Sequence, residues 1–80
     1  MSTIHELKTW PQFYSEIKLG NKNFEIRKAD RNFKVGDTLI LKEWSRETRD
    51  YTGNQTSRQI KFILPGGCWG IEFGHCILGL

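Results

Sequence analysis

Three side chains with complementary chemistry stand in one short run, Gly20-Asn21-Lys22-Asn23-Phe24-Glu25-Ile26-Arg27. The Lys22 ammonium could hold a phosphate or a carbonyl oxygen, the Arg27 guanidinium could make a two-pronged contact to a phosphate or a base edge, and the Glu25 carboxylate could accept from an exocyclic amine. Together they could recognise one nucleotide. In a strand, successive side chains alternate, so Asn23, Glu25 and Arg27 share one face while Phe24 and Ile26 share the other. At about 3.3 Å per residue, Glu25 and Arg27 lie roughly 6 to 7 Å apart along that strand. In a small barrel such charges face a site, and Lys22, at the turn into the strand, aims into the same space. The same spacing also suits a solvated surface pair worth about 0 to 1 kcal/mol. A third reading is an internal pair, because a buried charge without its partner is costly.

Other residues could join this site. His5 and Lys8 fall on a first strand that can reach the space beside Lys22, with His5 available for proton transfer near neutral pH; a structural histidine is the alternative. Lys28 extends the cationic run. Trp69, with Phe73, sits among Gly66, Gly67, Gly70 and Gly74. A ring there either stacks on an unpaired base, a contact worth about 1 to 3 kcal/mol, or plugs the end of a barrel. Trp10 and Trp44 read as core or helix-packing residues. The glycines do not form a phosphate-binding loop, since the Gly-x-x-x-x-Gly-Lys-Ser/Thr pattern and its strand-to-helix setting are both missing.

The elements that position these residues follow from local signals. Thr3 to Lys8 reads as a strand. Pro11 marks a helix start, where its missing N–H costs nothing, and Gly20 stands where a left-handed cap ends it, giving a helix over about Pro11 to Leu19. A strand from Asn23 to Lys28 is followed by a polar loop from Ala29 to Lys34 and a turn at Val35-Gly36-Asp37. Thr38 to Trp44, with Leu39, Ile40 and Leu41 in succession, suits a strand covered on both faces. Ser45 to Asn54 reads as a polar hairpin connection turning at Tyr51-Thr52-Gly53-Asn54. Thr56 to Leu64 alternates as one strand ended by Pro65-Gly66-Gly67, and His75 to Leu80 forms the last. Five strands and one helix, without helices between successive strands, predict a mainly β (α+β) fold, an antiparallel barrel with the helix at its side.

Eighty residues make a single domain spanning 1–80, too small for a second core. A hydrophobic fraction of 38% with three Trp and five Phe argues against a disordered chain. No charged-then-apolar leader opens Met1-Ser2-Thr3-Ile4, and no apolar run approaches the roughly 18 residues of a membrane helix. A soluble, cytoplasmic protein is expected, with no membrane partner. Cys68 and Cys76 read as reduced thiols acting as small apolar residues. Cys68, His75 and Cys76 lack paired CxxC spacing, so no metal and no cofactor are expected. The net charge of +3 is unevenly spread: Lys18 to Lys34 holds six basic and two acidic side chains. That surplus points to an anionic partner such as nucleic acid, against the alternative of a solvated lysine face.

The pattern Gly-x-Lys-x-x-Glu-x-Arg resembles the signature of ASCH domains, a branch of the PUA-like superfamily of small β-barrels associated with RNA. The blocks His5-Glu6-Leu7-Lys8, Phe24-Glu25-Ile26-Arg27-Lys28, Phe33-x-Val35-Gly36-Asp37 and the Gly-rich end are more closely similar to a family of small uncharacterised bacterial and phage proteins of that fold. The resemblance implies a monomeric module binding RNA, a nucleotide or a nucleoside in a basic cleft around Lys22, Glu25 and Arg27. It also implies an alternative. Some bacterial ASCH proteins are amidohydrolases that remove acetyl from N4-acetylcytidine with a lysine, a threonine and a later glutamate. Lys22 matches the lysine, but Glu25 stands at the threonine's place, and neither Glu43 nor Glu72 is marked as the later glutamate. In an enzyme, Lys22 and Glu25 would carry the chemistry. A third possibility is a small phage-type interaction module in which Glu25 and Arg27 pair structurally.

Overall fold

The computed structural model describes residues 2–80, so Met1 of the opening segment lies outside the described residues. In chain order the elements are β1 (Ile4–Thr9), α1 (Pro11–Lys18), β2 (Phe24–Lys28), β3 (Thr38–Ser45), β4 (Asp50–Gln59), β5 (Phe62–Pro65) and β6 (His75–Gly79). They form two three-stranded sheets, in the orders β1-β3-β4 and β2-β6-β5. The fold is therefore mainly β with one short helix. Pairing is antiparallel except between β1 and β3. That parallel pair follows from the connection, since α1 and β2 lie between its strands and supply the long crossover that parallel strands need.

The core is small and explicable from alternation. On β1, His5, Leu7 and Thr9 turn inward while Ile4, Glu6 and Lys8 turn outward. Leu39 and Leu41 of the central strand β3 are completely buried and meet Leu7, Ile17, Ile60, Cys76 and Leu78. The helix contributes Ile17 and Tyr14. Pro11 occupies its first turn, and Gly20, at φ +83°, provides the left-handed residue that lets the chain leave it.

Two segments differ from their sequence reading. Thr56 to Leu64 is not one strand. Ile60 donates its N–H to Asp37 O and Lys61 donates to Gly79 O, so the chain crosses from the first sheet to the second there, with Ile60 as a buried pivot. The connection after β3 is also shorter than Ser45 to Asn54, because β4 already begins at Asp50. Thr52 and Asn54 do not turn the chain: both donate to Glu43 Oε1, beside the register shift between Lys42 and Trp44.

The Gly-rich segment also corrects the plug reading. Trp69 and Phe73 are 84% and 90% exposed, so neither ring closes the end of a barrel. Gly66 is required for another reason: a Cβ there would collide with the carbonyls of Glu72 and His75. Among the described residues no backbone ladder joins the two sheets into a closed barrel. Side chains span the gap between β1 and β2 instead. Arg27 Nη2 donates to Lys8 O at 2.7 Å and Arg31 Nη1 to Glu6 O at 3.3 Å. Among the described residues, no helix is long and apolar enough to cross a membrane.

Candidate functional site

The gap between β1 and β2 opens into a cleft of about 640 Å³, lined by residues from the end of β1, the start of α1 and β2. Period-two alternation sets its floor. Glu25 and Arg27 turn toward the interior while Phe24 and Ile26 remain exposed, so the charged face of β2 is the buried one. The Glu25 carboxylate is only 6% exposed and is held from both sides. Lys22 Nζ donates to Oε1 at 2.6 Å, and Arg27 Nε donates to Oε2 at 2.9 Å.

Both cations are tied further. Lys22 Nζ also donates to Phe24 O at 2.7 Å, and its charge lies 4.8 Å from the Phe24 ring centre and 5.6 Å from that of Phe13. Arg27 is anchored on Lys8 O. Lys8 adds a third cation to the lining, its ammonium 4.7 Å from the Trp44 ring. Lys22 and Arg27 thus enclose one shielded carboxylate, with Lys8 elsewhere on the lining, and the local surplus favours an anion. The burial that would make Glu25 costly is offset by two charge-assisted hydrogen bonds.

An aromatic wall stands beside this charge cluster. Trp10 and Phe13 stack with ring centroids 6.0 Å apart and planes 18° from parallel. Pro11 places the two rings, because it starts α1 immediately after Trp10 and brings Phe13 round on the first turn. Arg46 covers the Trp10 ring at 3.9 Å. Thr9 also lines the cleft, and its buried hydroxyl has no hydrogen-bond partner among the described residues.

Of the residues singled out from sequence, the structure gathers Lys8, Lys22, Glu25 and Arg27. His5, Lys28 and Trp69 are not among the lining residues. His5 is occupied elsewhere. Its Nε2 lies 2.8 Å from Asp37 Oδ2 and its ring packs on Phe33 at 4.8 Å. Lys28 is exposed at the far end of β2, and Trp69 lies in the Gly-rich loop. Thr9, Trp10, Phe13, Phe24 and Ile26 are the cleft residues that sequence reading missed. Pro11 after Trp10 was the available signal, since it fixes the helix entry that puts both rings on one wall.

Other reactive groups lie outside the cleft. Cys68 is an exposed free thiol and Cys76 a buried one, and burial pushes the Cys76 thiol above its ordinary value. Among the described residues, no cluster of three or more His, Cys, Asp or Glu side chains could hold a metal ion. Glu43 accepts from Thr52 and Asn54, and Glu72 lies 3.5 Å from His75. Neither glutamate lines the cleft around Lys22.

Residues 4–80 match the family described as Domain of unknown function (DUF3850). An Escherichia phage P2 protein, "Uncharacterized 12.9 kDa protein in GpA 3'region", is 36% identical over 81 residues, an alignment that takes in 99% of this chain and 72% of the phage protein. The cleft residues from Lys8 to Arg27 all fall within the matched span. The chain therefore belongs to the DUF3850 family, which fits the small uncharacterised bacterial and phage family whose sequence blocks it resembles.

Proposed function

We propose that this protein is an ASCH-like, PUA-like module that binds RNA or a nucleotide in the cleft between β1 and β2. In this reading the two sheets are halves of a small barrel left open where Arg27 and Arg31 span from one strand edge to the other. One observation carries the proposal: Lys22 and Arg27 hold a single shielded carboxylate beside the stacked Trp10–Phe13 pair, in a cleft whose lining Lys8 extends. Cations with an adjacent aromatic wall suit a ligand that is anionic at one end and flat at the other, as a nucleotide is. The volume, about 640 Å³, lies in the range of small-molecule sites.

Recognition is favoured over hydrolysis by the state of Lys22. An amine that acts as base or nucleophile needs a free lone pair. Here the ammonium donates to both Glu25 and Phe24 O. The test is an NMR titration at low salt with short single-stranded RNA, cytidine and N4-acetylcytidine. Amide shifts concentrated at Trp10, Lys22, Glu25 and Arg27, and reduced by added salt, are the expected result. Absence of shifts at millimolar ligand overturns the proposal, and conversion of N4-acetylcytidine to cytidine replaces it with the amidohydrolase reading.

A further inference from the structure

We infer that the free edge of β2 reads the Watson–Crick edge of one unpaired nucleobase through the main-chain N–H and C=O of Ile26; the inference rests on the nucleotide reading above. The ladder between β2 and β6 determines where those groups point. In an antiparallel pair, residues alternate between exchanging two hydrogen bonds with the opposite residue and turning both groups away. Leu80 N–H donates to Asn23 O at 2.9 Å, and Ala29 N–H donates to Gly74 O at 2.8 Å. The residues bonded to β6 are therefore Asn23, Glu25, Arg27 and Ala29, in keeping with the register. Phe24, Ile26 and Lys28 direct their main-chain groups to the opposite side, where among the described residues β2 has no neighbouring strand.

Lys22 supports this direction independently, since its ammonium meets Phe24 O from the free side. Ile26 lines the cleft, and the register turns its N–H and C=O away from β6, toward the side on which no ladder joins β2 among the described residues. An exposed strand edge is a liability that proteins ordinarily cover. Here the facing edge of β1 does not cover it. The β1 carbonyls of Lys8 and Glu6 are occupied by Arg27 and Arg31.

This arrangement selects a base over a peptide. Lys22 occupies Phe24 O and the Arg27 side chain crosses to Lys8 O beyond Ile26, while Lys28 is not among the lining residues, so among the described residues Ile26 offers the one free donor and acceptor pair that faces the cleft. A strand added to the edge would need several such residues and would displace Arg27 from Lys8 O. A single base needs one donor and one acceptor side by side. Every natural base has that pair on its pairing edge: N1 and N6 of adenine, N3 and N4 of cytosine, O6 and N1 of guanine, O4 and N3 of uracil. The Trp10–Phe13 wall supplies the stacking surface, and Lys8 is left for phosphate. The unpartnered Thr9 hydroxyl marks a further polar group at the same cleft. A base already in a duplex has its pairing edge occupied, so the cleft takes single strands, loops or free nucleotides.

The test compares, by calorimetric or NMR titration, the four nucleoside 5′-monophosphates with derivatives whose base, still uncharged, is blocked on the pairing edge. These are the N6,N6-dimethyladenosine, N4,N4-dimethylcytidine, 1-methylguanosine and 3-methyluridine monophosphates. Each parent that binds is expected to lose about tenfold or more in affinity when blocked. Equal binding of blocked and parent nucleotides overturns the inference and leaves the nucleotide reading standing. Binding of none of them overturns both. The variant Ile26→Pro removes the free N–H without removing a ladder bond, and it is expected to reproduce the loss in a folded protein; full affinity in that variant overturns the inference. If Ile26→Pro does not fold, the comparison on the unaltered protein decides alone.

Discussion

Asp37 and Glu25 are both buried carboxylates, yet their partners are of different kinds. Asp37 accepts the backbone N–H of Thr3 at 3.0 Å and of Lys34 at 3.1 Å, and its Oδ2 meets His5 Nε2. These contacts tie the entry of β1 to the loop before β3, and the residue lies outside the cleft lining. Glu25 is held by the side chains of Lys22 and Arg27, in a cleft with an open side. A carboxylate satisfied by backbone donors fixes chain path, because those donors cannot leave without unfolding something. One satisfied by flexible cations fixes charge, and the cations retain protons for a ligand.

The largest effect on stability belongs to the Asp37 side of this contrast. Asp37→Asn puts an amide N–H₂ against donors on one side, so it is expected to give the lowest Tm of the variants considered while leaving ligand-induced shifts at the cleft intact below that Tm. Loss of cleft binding in the folded variant would erase the distinction. The pH dependence follows the same contacts. The Thr3 N–H first, then the His5 hydrogen bond, hold the Asp37 carboxyl below its ordinary value of 3.8. A carboxyl with a lower pKa in the folded state stabilises the protein above its unfolded pKa, and that contribution disappears as pH falls through the folded value. Thermal melts should therefore lose stability on acidification from just above 3.8 downward, and Asp37→Asn should flatten that part of the profile.

On the Glu25 side the expected stability loss is smaller and binding is affected as well. Arg27→Met removes both the bond to Glu25 and the anchor on Lys8 O. A hydrogen bond to a charged group is worth about 1.5 to 3 kcal/mol, which sets the scale of destabilisation by denaturant titration. Nucleotide binding should fall below detection in the same variant. Unchanged binding would make Glu25 and Arg27 a structural pair like that of Asp37.

Legibility in the sequence divides along similar lines. The helix was readable because Pro11 and Gly20 act locally, and the sharing of one β2 face by Glu25 and Arg27 was readable because alternation is a local rule. The structural alternative for His5 could not name its partner, because Asp37 is 32 residues away and no spacing rule links a histidine to a distant aspartate. The cleft wall was missed for the same reason. Trp10 and Phe13 acquire their role only when α1 is laid beside β2, whereas Trp69 drew attention through its glycine neighbours alone. The crossing at Ile60 was hidden because apolar alternation continues through it while the strand partners change from β3 to β6.

The two tryptophans give the smallest effects and the finest discrimination. Trp10 is 39% exposed and packs on Phe13 at the cleft. Trp10→Ala should weaken nucleotide binding by about 1 to 3 kcal/mol, the range for one base stacked on an aromatic ring. Its helix role is carried by the backbone: Trp10 O accepts from Phe13 and Tyr14, so the substitution leaves α1 intact. Trp69 stands at φ +59° in the exposed loop. A bulky residue in that region is strained, and glycine is not. Trp69→Gly should consequently leave binding unchanged and shift stability by no more than about 0.5 kcal/mol in either direction, with the relief of strain opposing the added chain entropy. A loss of affinity in Trp69→Gly comparable to that in Trp10→Ala would move the stacking surface to the Gly-rich loop, and the contrast between a shielded charge beside an aromatic wall and a backbone-held carboxylate would no longer locate the site.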